Sequence, residues 1–337
     1  MEGIFTISLD FELHWGVFDK RDRQSRESCY RNTLKLVPQM LELFAKYNVH
    51  VTWATVGSMF ADNQDEWELY KPAVLPDFVQ NKYSAYQWAE KNGMPDQYSW
   101  AHFAPEEILS ILQFPGQELG THTFSHYYCT EQNREKESFR YDLQAAKKIA
   151  SKFNSNPVSL IFPRNKFDKE HIKTCFEVGI KVVRRNPDPW FKQPAQNIGS
   201  KLLHTLVNKT DDYLRLGKWR SSYSLKDISV NTGEPIILPS SRFFYPWQQG
   251  KNFANKLRLK RMIQELESAA MHKECYHLWW HPENFGDHPE QNLQDLKILL
   301  EHYKKCREQY GMKSWNMGEY AMHLIPTRKN VLERAAI

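Results

Sequence analysis

The chain is short of paired cysteines. Its five, Cys29, Cys129, Cys175, Cys275 and Cys306, are odd in number, widely scattered and contain no C-x-x-C pair. That pattern argues against a disulfide framework or a cysteine-ligated zinc, and for reduced thiols in a cytosolic-type compartment. Long apolar runs are also missing, and none approaches the ~20 residues of a membrane-spanning helix. The N-terminus passes directly into a strand-like run, Ile4-Phe5-Thr6-Ile7, with no room for a signal peptide, so a soluble protein of cytoplasmic location is expected. Charge of one sign is scarce: 45 Lys+Arg face 40 Asp+Glu, a net +5. So small an excess gives a nucleic-acid partner no positive support. Neither an internal repeat nor a low-complexity tract is visible.

Aromatic residues, by contrast, are plentiful at 14%, with 11 Trp. Most belong in a core, although the flat rings of Trp53, Trp247, Trp279 and Trp280 also suit sugar faces. With 25% charged and 41% apolar residues, the composition is that of an ordinary globular protein. A length of 337 residues accommodates one α/β barrel domain or two smaller domains.

Strand-like and helix-like patterns alternate along the chain. Strands are predicted at 3–9, 49–56, 158–162, 180–183, 235–239 and 276–280. Helices are predicted at 28–47 (with Pro38 as a kink or late start), 105–114, 134–153, 169–178, 202–216, 253–272 and 291–310. Residues 62–104 fit neither period and read as an insertion with short helices over a barrel mouth. About seven βα units favour a parallel sheet closed into a barrel. Reactive residue types stand just past strand ends: Asp10, Glu12, His122, Arg164, Arg184, Arg242 and His281. That is where α/β barrels place their active sites.

Two of these stretches look like halves of one metal site. In Ser8-Leu9-Asp10-Phe11-Glu12 the two carboxylates share one strand face, because strand side chains alternate. In Gly120-Thr121-His122-Thr123-Phe124-Ser125-His126 the two imidazoles, four apart, would share a face of a helical turn. Two His and one carboxylate with open positions form a common ligand set for hydrolytic zinc, leaving the other carboxylate free to act as a base. Alone, D-x-E is more often a solvated strand end and H-x-x-x-H a pair of core histidines. Their co-occurrence after predicted strands supports the metal reading. His14, two beyond Glu12, could meet metal or substrate, or be a plain loop histidine, and His277 could be a buried neighbour of His281. The basic run 256–261 reads first as a solvated helix face and second as a contact for an anionic surface.

The ordered series SLDFE, GQELGTHTFSH, FPRN and LWWHPENF resembles the polysaccharide deacetylase family, carbohydrate esterase family 4. The likeness spans residues 4–285, and GQELGTHTFSH is its most specific part. The resemblance implies a distorted seven-stranded (β/α) barrel in a single domain over residues 1–330, and a hydrolase that uses one divalent metal, zinc first. It further implies that Asp10 is the base, that Glu12, His122 and His126 are metal ligands, and that His281 is the acid that protonates the leaving amine. Glu12 stands where an aspartate is usual, which lengthens the ligand arm. Arg164 stands in the context of the arginine that orients the base, beside Asn165. Asp188 and Trp190 match an Asp-Trp pair that supports the acid, with Pro189 interrupting it. Asn165, Asp188, Trp190 and His14 are candidate substrate contacts.

The function so implied is removal of N-acetyl groups from a sugar of a surface polysaccharide or its precursor, with possible peripheral contact to a lipid-linked substrate through Lys256, Arg258, Lys260 and Arg261. Two alternatives remain: a deformylase or cyclic-ureide amidohydrolase on the same fold, and a non-catalytic glycan-binding protein. A pure binder has no use for a base–acid pair, which weighs against the last.

Overall fold

The computed structural model describes residues 2–131, 137–186 and 221–325. Asp188, Trp190 and the helix expected at 202–216 lie outside them. The strands are β1 (Ile4–Phe11), β2 (Val51–Thr55), β3 (Gln117–Thr121), β4 (Ser159–Ile161), β5 (Val182–Arg185), β6 (Ile236–Pro239), β7 (Arg242–Phe243), β8 (Cys275–Trp280) and β9 (Lys313–Ser314). They form one parallel sheet in the order β6-β5-β4-β3-β2-β1-β8-β7, with β9 added beside the start of β1.

β6 and β7 sit at opposite ends of that order, yet only Ser240 and Ser241 separate them in sequence. At the crossing the Ser240 N–H donates to Arg185 and the Ser241 N–H donates to the His277 carbonyl. One continuous segment thus pairs with β5 through its first half and with β8 through its second. Counting that segment as one strand gives seven positions around a curled sheet, the distorted seven-stranded (β/α) barrel expected from the resemblance.

The described α-helices are α1 (Glu27–Tyr47), α2 (Gln64–Tyr70), α3 (Ala85–Asn92), α4 (Ser99–His102), α5 (Pro105–Gln113), α6 (Glu137–Ser151), α7 (Lys169–Glu177), α8 (Asn252–His272), α9 (Pro289–Tyr310) and α10 (Met317–Leu324). α1 runs unbroken through Pro38. Residues 62–104 carry α2, α3 and α4, the short helices expected of an insertion. The alternation of β1 sorts its side chains between two layers. Phe5, Ile7, Leu9 and Phe11 join the large core between strands and helices, together with Trp53 and Trp280. Ile4, Thr6, Ser8 and Asp10 occupy the opposite face. There a second cluster of Ile4, Ala54, Ile161, Val182 and Ile236 is packed by Met317 and Tyr320 of α10. Above it the lining turns polar: Thr6 bonds the Tyr320 hydroxyl, and Ser8 bonds His277. This change from apolar plug to polar network places the ionisable side chains at the C-terminal strand ends.

Candidate active site

Asp10 ends the polar ladder on β1, and it is buried at 2% exposure. Its partner is Arg184 of β5, fully buried, whose Nη1 donates to Oδ1 and Nη2 to Oδ2, both at 2.7 Å. This two-pronged geometry is the strong form of a charge-assisted pair. Arg184 also donates to Ser8 Oγ (3.0 Å) and Asn165 Oδ1 (3.1 Å), and its guanidinium lies 4.2 Å from the Trp279 ring centroid. Ser8 Oγ is 2.8 Å from His277 Nε2, and His277 Nδ1 is 3.2 Å from the Pro239 carbonyl. That carbonyl can only accept, so His277 carries its proton on Nδ1 and receives the Ser8 hydroxyl on Nε2. Burial, reinforced by Arg184, pushes the His277 pKa down to about 3, which keeps it neutral.

Glu12 lies past the end of β1, with Oε1 3.0 Å from His122 Nε2 and 3.4 Å from His126 Nε2. Its side chain crosses Gly16, where a Cβ would fall 1.7 Å from Oε2; any larger residue would displace the carboxylate. Burial alone would raise the Glu12 pKa, but the charges of His281 and His126 and the close approach of the His122 and His126 imidazoles hold it well below the ordinary value.

The two histidines do not occupy the helical turn expected from their spacing. His122 follows β3, and Thr123 and His126 both adopt left-handed backbone, with φ of 66° and 55°. A loop held by tertiary bonds brings the rings to 5.1 Å between centroids. The Thr123 and Phe124 carbonyls accept from the Gly57 and Ser58 amides. Asp142 of α6 accepts from Phe124 N (2.7 Å), Ser125 Oγ (2.5 Å) and the Tyr86 hydroxyl (2.9 Å).

His281 follows β8 and is 29% exposed, with Nε2 3.8 Å from Asp10 Oδ2 and 3.6 Å from Glu12 Oε1. Asn284 Nδ2 is 3.3 Å from its Nδ1, and Phe243 and Trp279 flank the ring.

Among the described residues two overlapping groups could hold a cation: Glu12 with His122 and His126, or Glu12 with Asp10 and His281. The chemistry of the donors separates them. Both Asp10 oxygens already accept from Arg184, whereas His122 Nδ1 and Nε2 and His126 Nδ1 are buried without a hydrogen-bond partner. Buried polar atoms left unpaired are costly, and a carboxylate with two neutral imidazoles suits a borderline cation such as zinc. The His122/His126 group therefore fits a divalent ion.

Arg164 departs from its expected place. It does not reach Asp10; it pairs with Asp19 (2.5 Å) and lies 3.8 Å from the Tyr128 ring centroid, the ring that packs against His126. Arg164 and Asn165 are both left-handed, at φ of 58° and 52°. That backbone turns Arg164 toward the His126 side and Asn165 toward Arg184. Among the described residues, five of the eight non-glycine residues with positive φ (Leu13, Thr123, His126, Arg164, Asn165) stand around this site, the clustering of strain common where function constrains backbone.

His14 is also misplaced by the spacing argument. The chain leaves β1 through a 3-10 turn, Leu13–Gly16, which buries His14 completely against Tyr30, Trp88 and His102. Burial there, with Arg23 nearby, lowers its pKa to about 4, and it offers no surface to a substrate. Half of the basic run likewise turns inward: Arg261 pairs with Glu265 and Arg258 lies over Tyr245.

The comparisons place this geometry among known proteins. The family model described as polysaccharide deacetylase matches residues 27–183, a stretch holding His122, His126 and Arg164 but not Asp10, Glu12 or His281. No curated protein matches the chain. Among solved structures, a protein assigned as a polysaccharide deacetylase from Mycobacterium smegmatis is 14% identical, with 96% of this chain and 91% of that one covered and a TM-score of 0.58. One so assigned from Pseudomonas aeruginosa PAO1 is 12% identical, covering 96% and 92% at a TM-score of 0.53. Puue allantoinase is 13% identical, covering 96% and 90%, also at 0.53. At such identities the structures speak for the fold, and the family match speaks for residues 27–183. Over residues 27–183, just under half of its length, the chain is similar to the polysaccharide deacetylases.

Proposed function

We propose that the chain is a metal-dependent hydrolase that removes N-acetyl groups from a sugar of a surface polysaccharide or its precursor. The observation that carries the reading is an Arg184-clamped Asp10 and a half-buried His281 close to Glu12, whose carboxylate faces the two buried imidazoles of His122 and His126. Glu12, His122 and His126 would hold one divalent ion, zinc first, which supplies Lewis acidity to the acyl carbonyl and to a water. Asp10 takes the proton from the attacking water through the oxygen edge not used by Arg184. His281 delivers a proton from Nε2 to the departing nitrogen, which is too basic to leave as an anion. Arg184, Ser8 and neutral His277 hold the base in one orientation, so its geometry is set before substrate arrives.

The fold shared with an allantoinase favours one second reading, hydrolysis of a cyclic ureide at the same residues; a formyl group is the other acyl candidate. Purified protein supplied with zinc should release acetate from N-acetylated oligosaccharides. Formate release, or ureide opening without acetate, would replace the reading, and saccharide binding without turnover would make the protein a binder. We further propose that the substrate is met in the cytoplasm, on a precursor still being assembled. Among the described residues no helix is long and apolar enough to cross a membrane, and the five cysteines are buried and form no disulfide. Lys256 and Lys260 remain outward-facing for a lipid-linked carrier. Fractionation that finds the protein only outside the cell would overturn this.

A further inference from the structure

β1 stops pairing at Phe11, so the amides of Glu12 and Leu13 have no strand partner. Leu13 is left-handed, at φ of 48°, and the chain bends sharply there into the 3-10 turn. Both amides point at one atom. Glu283 Oε1 accepts from Glu12 N at 2.9 Å and from Leu13 N at 2.5 Å.

Glu283 is itself tightly held. It sits in the 3-10 turn Pro282–Phe285 that begins one residue after His281, and it is 6% exposed. Its carbonyl accepts from Cys29 Sγ, and the Gly286 carbonyl accepts from Asn32 Nδ2 at 2.9 Å, tying the turn to α1. A Cβ on Gly286 would fall 2.2 Å from the Cys29 carbonyl oxygen, so that contact requires glycine. The same turn carries Asn284 against His281 Nδ1.

From this geometry we infer that Glu283 is a positioning residue for Glu12. By gripping two consecutive amides it fixes the bend that aims the Glu12 carboxylate at His122 and His126, and it couples that ligand to the segment carrying His281. The inference rests on Glu12 being a metal ligand. Partners that orient a ligand typically cost 10–100-fold in metal affinity when removed.

The test is a cobalt(II) titration of metal-stripped full-length protein, read by visible absorption and by competition with a chelator. Glu283→Ala should bind cobalt roughly 10–100-fold more weakly, with an altered spectrum and faster hydrogen exchange at the Leu13 amide. Glu283→Gln keeps an oxygen able to accept both amides, so its affinity should stay within about 3-fold of the original, a change far below that expected of a lost orienting partner. Glu283→Asp, one methylene shorter, stands in if the alanine variant does not fold and should also weaken binding. An alanine or aspartate variant that binds and exchanges like the original protein would overturn the inference alone, as would a glutamine variant as impaired as alanine. An original protein that binds no cobalt would overturn the metal reading beneath it as well.

Discussion

Removing the Arg184 guanidinium while leaving Asp10 in place should destabilise the fold by about 3–5 kcal/mol, the cost of stranding one member of a buried ion pair. The geometry puts this pair at the expensive end. Arg184 is 0% exposed and Asp10 2%, so neither charge can turn to water. Arg184→Met fills much of the same volume but deletes two 2.7 Å bonds to Asp10 and the bonds to Ser8 and Asn165. Asp10→Asn in that background removes the stranded charge and should recover on the order of half the loss, since paired replacement of a buried ion pair is often near neutral. Arg184→Lys keeps the charge without the two-pronged fit and should fall between. Urea unfolding of the original protein, Arg184→Met, Asp10→Asn and the double variant, with m-values compared to verify a common transition, gives the coupling energy from the double-mutant cycle. A loss below about 1 kcal/mol for Arg184→Met, or no recovery in the double variant, would refute the idea that Arg184 balances Asp10.

Three further outcomes follow from the site. Asp10→Asn should keep the metal while turnover drops by several orders of magnitude, because only the proton acceptor is lost; metal analysis beside acetate release checks this, and loss of metal would make Asp10 a ligand. His122→Ala combined with His126→Ala should abolish the expected single ion per chain, read by elemental analysis, and undiminished metal would sink the assignment. Burial raises the Asp142 pKa to about 6 despite the bonds it accepts from Ser125, Phe124 and Tyr86. Its folded pKa lies above the ordinary 3.8, so its stabilising contribution is present below about pH 4 and lost as pH rises through about 6. Relative to Asp142→Asn, the original protein should therefore gain on the order of 2–3 kcal/mol between pH 7 and pH 4 in urea unfolding; a difference that stays flat with pH would refute the assignment.

How legible the site was depended on whether neighbouring sequence or distant packing sets each side chain. Asp10, Glu12 and His281 follow from strand alternation and strand ends, both local properties, and the structure brings them within 4.8 Å of one another. His122 and His126 come together as their spacing suggests but by another route, since Asp142 and the Gly57–Ser58 amides stabilise a loop that no helical periodicity encodes. β7, β9 and α10 are too short to show a period, and they close or plug the barrel only through contacts made elsewhere in the chain. The basic run misleads for a related reason: a helix-wheel argument places Arg258 and Arg261 in water, but Tyr245 and Glu265 give both a partner under the surface.

The two arginines mark the limit most sharply. Arg164 sits in a motif-like context, FPRN, whereas Arg184 is the buried one of two arginines that end the strand Val182–Arg185. Motif context selects the first and physics selects the second. A charge on the inward face of a strand, in register with Ile161 and Leu238, must have a counter-charge inside the barrel. The inward face of β1 supplies one carboxylate at that level, Asp10. Alternation along β5 puts Val182 and Arg184 on one face, and Val182 belongs to the interior cluster. Alternation along β5 would therefore have singled out Arg184, already named at a strand end, as the partner of Asp10, where a search for arginine beside proline chose Arg164.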